Sequence, residues 1–281
     1  PSARTRELFA GPGDLALLSA LGIAGRLRQR ELLAEVAKAC AHPRDRVATL
    51  ALQTLAVLDE AAARAAARAA IQRPDRAGAA ALRLLGAVGT AADAALLQRH
   101  AAGPHAREAL LALGRLGEAG TVDTLLAAMD DPKLARAAGH GFEILSGASL
   151  QSDGIALAPG TRPEIKEGEE EESLVLDPDE GLAWPEPTRV RSWWGALGVR
   201  PKRGERWRLG VAFDWEAVAG EAASPELLLP DRDDVLMELA SRLSLGHIER
   251  RDWSARSRSV PSAREVRHAA RDRGIGPWPA S

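Results

Sequence analysis

A chain of 281 residues, 46% of them apolar, is long enough for one large or two ordinary domains and can bury a sizeable core. Its formal net charge of −2 supplies no global field to concentrate nucleic acid or anionic membrane, and its single cysteine, Cys40, excludes an intrachain disulfide framework and a cysteine-based zinc site. No apolar run approaches the roughly 20 residues that span a bilayer, and Pro1 to Gly11 has no hydrophobic signal core, so a cytoplasmic protein with no membrane partner is expected.

Taken from the start, Thr5 to Arg28, with Leu15, Leu18, Leu21 and Ile23, reads as a helix or half-repeat whose glycines at 11, 13, 22 and 25 blur its limits. Prolines then fall at 43, 74, 104 and 132, at intervals of 31, 30 and 28 residues, the length of a two-helix repeat. Each is preceded by one helical stretch (31–41, 61–71, 91–101 and 121–129) and followed by another (48–58, 79–89, 107–117 and 136–147). Proline fixes φ and lacks an N–H, so it punctuates the turn between them. In the second stretches Leu52, Leu82, Leu110 and Phe142 share one register, and Leu55, Leu85, Leu113 and Leu145 share another three residues on. Both registers lie on one helical face, the expected core face. The next residue is always small (Ala56, Gly86, Gly114, Ser146), which suits a helix that closes against its neighbour.

Beyond the prolines stand Arg46, Arg76, Arg107 and Arg136, with Asp45, Asp75, Glu108 and Asp131 close by. From about Glu31 to Leu150 this pattern resembles HEAT repeats. In that family a turn acid and a basic residue on the second helix pair between neighbouring repeats, so the resemblance implies that these arginines are structural struts. The implied fold is mainly α: an α-α superhelix, a HEAT-like solenoid of about four helical hairpins over 1–150, followed by a smaller, mostly helical C-terminal region.

After Leu150 the periodicity stops. Residues 151–187 read as an acidic, Gly/Pro-rich linker with an unbroken run from Glu169 to Glu172. Asp177, Asp179 and Glu180 lack the further spaced oxygens and distal glutamate of a calcium loop, so a solvated linker is the expectation. Within 188–281, a helix is expected over 187–197, capped by Thr188 and apolar at Val190, Trp193, Trp194 and Leu197. A short strand or extended segment follows over 206–213, then helices over 231–245 and 261–273. Asp231, Asp233 and Asp234 complement the dipole of the first of these. The segment 250–273 carries eight arginines against Asp252, Glu265 and Asp272.

The segment AGHGFEILSG (138–147) followed by WPEPTRVRSWWGALG (184–198) resembles a narrower group of proteobacterial HEAT-repeat proteins, matching from about Val47 to the C-terminus. That group has an Ala-Gly-x-x-Phe segment followed by a tryptophan-pair helix, and some of its members are encoded near type VI secretion genes. It has no established activity, so the resemblance carries over no catalytic residue.

No Gly-rich phosphate loop, H-E-x-x-H or G-x-S-x-G occurs, so neither an enzyme nor a cofactor is signalled. His100 and His105 flank a turn, and His140 and His247 stand alone, which argues against a histidine metal site. Asp214 and Glu216, on alternate positions of an extended segment, would face opposite ways. Cys40 reads as a small buried residue within a helix.

The candidate partner-binding residues are Trp193, Trp194 and Trp207 with Arg191, Arg203 and Arg206, extended by Arg200, Lys202 and Arg208. Three uses of this set are open. The tryptophans can cover the apolar end of the stack, the patch can anchor a protein partner, or aromatics and cations can stack bases and neutralise phosphates. The expected function is a non-enzymatic protein-binding adaptor or scaffold, the alternative a nucleic-acid binder using the basic C-terminal half.

Overall fold

A computed structural model describes residues 2–158, 160, 161, 177–198, 201–224, 227, 229–245 and 261–279. Among them the chain is mainly helical. In order come α1 (Ser2–Ala10), α2 (Asp14–Arg26), α3 (Leu33–Ala39), α4 (Asp45–Leu58), α5 (Glu60–Ala70) and α6 (Arg76–Val88). Then follow α7 (Ala94–His100), α8 (Ala106–Leu116), α9 (Val122–Ala128), α10 (Ala135–Ser146) and α11 (Pro187–Ala196). The antiparallel ribbon of β1 (Trp207–Arg208) and β2 (Val211–Ala212) pairs Trp207 with Ala212 and Arg208 with Val211. Last are α12 (Trp215–Ala223), α13 (Leu229–Arg242) and α14 (Ala263–Asp272). No described helix is long and apolar enough to cross a membrane.

Packing divides the chain into two units, Pro1–Asp93 with Phe213–Ser281, and Ala94–Ala212. These cut across the segments 1–150, 151–187 and 188–281, because α13 packs on α4 and α6 whereas α11 and the ribbon pack on α9 and α10.

In the first unit helices pack in consecutive pairs, α1 with α2, α3 with α4 and α5 with α6, and the second members stack, α2 on α4 on α6. In the second unit α7 pairs with α8 and α9 with α10, and α8 stacks on α10. The region 5–28, expected as a half-repeat, is thus a full pair. Gly11 and Gly13 lie in its connection, and Gly25 rests against Thr54 of α4.

The two core registers hold in the four pairs from α3–α4 to α9–α10: all eight residues, from Leu52 and Leu55 to Phe142 and Leu145, have 0% of their surface exposed. Each contributes roughly 2 kcal/mol by leaving water. The small residue after them has its sharpest use at Gly114, where a methyl group would run into the Gly141 carbonyl; one at Gly141 would stand 2.7 Å from the Leu110 carbonyl oxygen. α8 and α10 therefore meet backbone to backbone.

The arginine struts differ from the expected ladder. Arg46 and Arg76 are exposed. Arg107 pairs with Glu108 beside it (3.3 Å) but reaches Asp179 more closely (2.6 Å), and Arg136 binds both oxygens of Asp177 (2.7 and 3.0 Å). Both thus fasten loop 177–180. Asp177, Pro178 and Glu180 are exposed, as a solvated linker would be, but Asp179 is 4% exposed. The strut between the turns at Pro43 and Pro74 is Arg73, which donates to the His42 and Pro43 carbonyls and pairs with Asp75, itself the N-cap of α6.

Two other elements differ from expectation. α11 is capped by the carboxylate of Glu186, which accepts from the N–H groups of Thr188 and Arg189, and Pro187 occupies its first turn. α12 falls where no helix was expected and brings Trp215, Val218, Ala219 and Ala222 to a core shared with Val235, Leu239 and Leu243 of α13 and its end and Val266 and Ala270 of α14. α14 begins with a capping box between Ser262 and Glu265. Cys40 is buried, its Sγ donates to the Val36 carbonyl, and burial pushes its thiol up to about 12.

Asp93 ends the turn before α7. Burial acts to raise its carboxyl, but two hydrogen bonds from Arg68 (2.6 and 2.9 Å) and one from the Thr90 N–H (2.8 Å) outweigh burial and hold it below the usual carboxylate range. A depressed carboxyl stabilises the fold above the unfolded-state value and loses that stabilisation as pH falls through the folded one, so its contribution fades below about pH 4. Asp93→Asn is expected to cost about 2 kcal/mol at pH 7 in urea unfolding and to flatten the loss of stability below about pH 4. Gly114→Ala should cost at least about 2 kcal/mol by overpacking, whereas Gly22→Ala, inside α2 with nothing within 4 Å, should stabilise by up to about 1 kcal/mol.

Candidate functional site

The aromatic and basic residues singled out in the sequence all belong to the second unit, and most of their contacts tie segments of that unit together. Trp193 and Trp194 are half-buried and stand edge-on to Phe142, with ring centroids 6.0 and 5.7 Å away. They lay α11 over the core position of α10. Arg191 donates to the Leu126 carbonyl (3.0 Å) and pairs with Asp130, fixing the same helix to the end of α9. Arg136, besides binding Asp177, lies 4.9 Å over the Trp184 ring.

Arg206, Trp207 and Arg208 do something the sequence did not signal. An α-helix ends in carbonyls with no intrahelical partner and with a partial negative charge. Arg206 Nε donates to the Leu116 carbonyl (3.1 Å), Arg208 Nη1 to that of Arg115 (2.8 Å) and the Trp207 N–H to that of Gly117 (2.7 Å), closing the end of α8. The N–H groups of Leu209 and Gly210 close α10 on Ile144 (2.8 Å) and Leu145 (3.1 Å). Both helices end in a left-handed glycine, Gly117 (φ 70°) and Gly147 (φ 71°), and at either a side chain would strike the ribbon backbone. Arg206 is 3% and Arg208 0% exposed, so neither guanidinium faces solvent.

Of the candidate set, Arg191 and Arg203 are exposed, as is neighbouring Lys202, and the tryptophans are half-buried. Arg200 lies outside the described residues. A surface that stacks bases and neutralises phosphates needs free cations beside open aromatic faces. Here the cations nearest the tryptophans in sequence are spent on carbonyls and on Asp130.

The first unit holds a second group of charges, absent from the sequence reading. Glu60 accepts from Arg64 (2.6 Å) and lies 3.9 Å from Arg242 Nε; Arg242 lies 3.9 Å from Glu238 and 4.7 Å over the Trp215 ring. Burial pushes the Glu60 carboxyl up against the opposing pull of Arg242 and Arg64, and pushes the Arg242 guanidinium down against Glu238 and Glu60. The two acid–base pairs stand at i, i+4 on α5 and α13, a spacing that in sequence reads as a solvated helix face. Their burial follows from α13 packing on α4 and α6.

Among the described residues no group of three or more His, Cys, Asp or Glu side chains is placed to hold a metal ion, and the carboxylates of Asp177 and Asp179 are taken by arginine. Asp214 and Glu216 flank the start of α12, where Glu216 pairs with Arg267.

Because Arg208 closes the end of α8, Arg208→Met should cost about 3 kcal/mol in chemical denaturation by leaving a buried carbonyl unpaired. Arg203→Ala should stay within about 0.5 kcal/mol of the parent.

No protein-family model, no curated protein and no solved structure matches the chain.

Proposed function

We propose that this protein is a non-enzymatic adaptor, a HEAT-like α-α superhelix that holds a protein partner. Its resemblance to a group of proteobacterial HEAT-repeat proteins, some of them encoded near type VI secretion genes, suggests the setting, the bacterial cytoplasm beside a secretion system. Stacked helical pairs offer an extended surface whose usual use is to bind another chain, and that fold-level analogy supports the reading without identifying a site.

The observation that carries the proposal is the outer face of α2. Its principal neighbours are α1 and α4; it exposes Leu15 (78%) and Ile23 (36%), and Leu27 (56%) stands just past its end. Apolar side chains of this size gathered on one helix mark an interaction surface. The occupant that suits an apolar helix face is an amphipathic helix of the partner, laid along it. The tryptophan–arginine set is a weaker candidate for the same role, because its contacts are largely internal.

The experiment is affinity enrichment of the full chain from its native host, with parent and Leu15→Asp/Leu27→Asp proteins compared after equal helicity and thermal unfolding are verified. A partner enriched by the parent and lost at least about tenfold by the variant supports the adaptor reading. A partner retained undiminished removes α2 as the binding surface.

A further inference from the structure

We propose that the first unit contains a binding pocket for a small molecule with an anionic head, phosphate or carboxylate, and an apolar body, gripped by Arg30, Arg273, Arg64 and Arg242. The cavity measures about 430 Å³, within the size range of small-molecule sites. One wall is formed by the segment before α3, the end of α4 and the start of α5, the other by the end of α13 and the residues after α14.

Charge is the first argument. Four arginines line the cavity against two carboxylates, and both carboxylates are already engaged: Asp59 caps α5 by accepting from the Ala62 N–H, and Glu60 takes Arg64. Glu238, behind Arg242, is 0% exposed. Arg30 and Arg273 are exposed and meet no carboxylate among the described residues; the side-chain bond of Arg273 goes to the hydroxyl of Ser244, itself a lining residue (2.6 Å). Arg28, tied to the Val57 and Ala240 carbonyls, is close enough to feel both, and burial followed by the repulsion of Arg273 and Arg30 presses its guanidinium down. Like charges crowded in this way are relieved by a bound anion.

The second argument is an unused donor. Arg242 is 3% exposed, gives Nη1 and Nη2 to the carbonyls of Pro277 and Gly276, and leaves Nε buried without a hydrogen bond, the Glu60 carboxylate standing 3.9 Å away, on a residue that lines the cavity. A buried donor in that state lowers the free energy of any acceptor that reaches it. The third is the remaining wall: half-buried Leu33 and Ile275, backed by buried Val57 and Leu58, offer apolar surface beside the cations, which inorganic phosphate alone would leave uncovered.

The test is calorimetric titration of the full-length protein at low salt with inorganic phosphate, phenyl phosphate, benzoate and neutral benzyl alcohol. Phenyl phosphate or benzoate is expected to bind saturably and at least about tenfold more tightly than benzyl alcohol, and the tighter of the two identifies the head group. Added sodium chloride should weaken that binding. Arg30→Ala/Arg273→Ala, both exposed positions, should reduce affinity at least about tenfold with unchanged thermal unfolding, and Arg44→Ala, an exposed arginine outside the cavity lining, should leave it as in the parent. Absence of saturable binding by either anion up to about 10 mM, equal binding of benzyl alcohol, or parental affinity in the double variant would overturn the proposal.

Discussion

The second helix of each stacked pair ends in carbonyls that its own helix cannot satisfy, and most of these ends are closed by an arginine side chain from elsewhere in the same unit. Arg28 reaches the Val57 carbonyl at the end of α4, Arg64 that of Val88 at the end of α6, and Arg206 and Arg208 those of Leu116 and Arg115 on α8. The end of α10 is closed by backbone N–H groups of the ribbon. Cations are favoured there because aligned peptide dipoles leave the C-terminal end negative. Arginine suits the task because its fork of donors stays charged when buried and serves more than one acceptor. Arg28 shows this, spanning α4 and the Ala240 carbonyl of α13.

This closure explains why the second half of the sequence is built so differently from the first. In the second unit the Arg-Trp-Arg-Leu-Gly segment has no room for periodic helical pattern because it serves as a strap across two helix ends, its alternate arginines turned inward onto α8. In the first unit α13 carries both apolar residues and the buried Glu238 and Arg242, because it packs on α4 and α6 and brings Arg242 within 3.9 Å of Glu60 at the start of α5. A buried ion pair of this kind contributes little net stability but strongly penalises loss of either partner. It therefore specifies how α13 seats more than it strengthens the seat.

The tryptophans and arginines beyond residue 180 look like a binding surface in sequence because composition cannot distinguish a guanidinium facing water from one facing a carbonyl. Arg206 and Arg203 are three residues apart and chemically identical. One is 3% exposed on a helix end and the other lies open, a difference set by the ribbon's path over Gly117 and Gly147. The same holds for the turn arginines: Arg107 and Arg136 bind Asp179 and Asp177 because loop 177–180 returns over α8 and α10, a contact more than 40 residues distant that no local spacing encodes. α12 begins where Asp214 and Glu216 read as part of an extended segment, although Trp215, Val218, Ala219 and Ala222 have helical spacing. The cavity lined by Arg30, Arg64, Arg242 and Arg273 was illegible for a related reason, since its cations come from four separate elements.

What the sequence determined by itself is the helical pairing from residue 31 to 147, its phase, and the residues that face the core. Those features rest on short-range physics: a 3.6-residue period, proline's missing N–H, and a small residue where two backbones touch at Gly114 and Gly141. What only the tertiary structure decided is which charges are buried, which helix ends they close, and that packing gathers 213–279 with the first pairs and 177–212 with the later ones. A charged side chain's role depends on the dielectric and the acceptors around it, and those are supplied by segments far away in the chain.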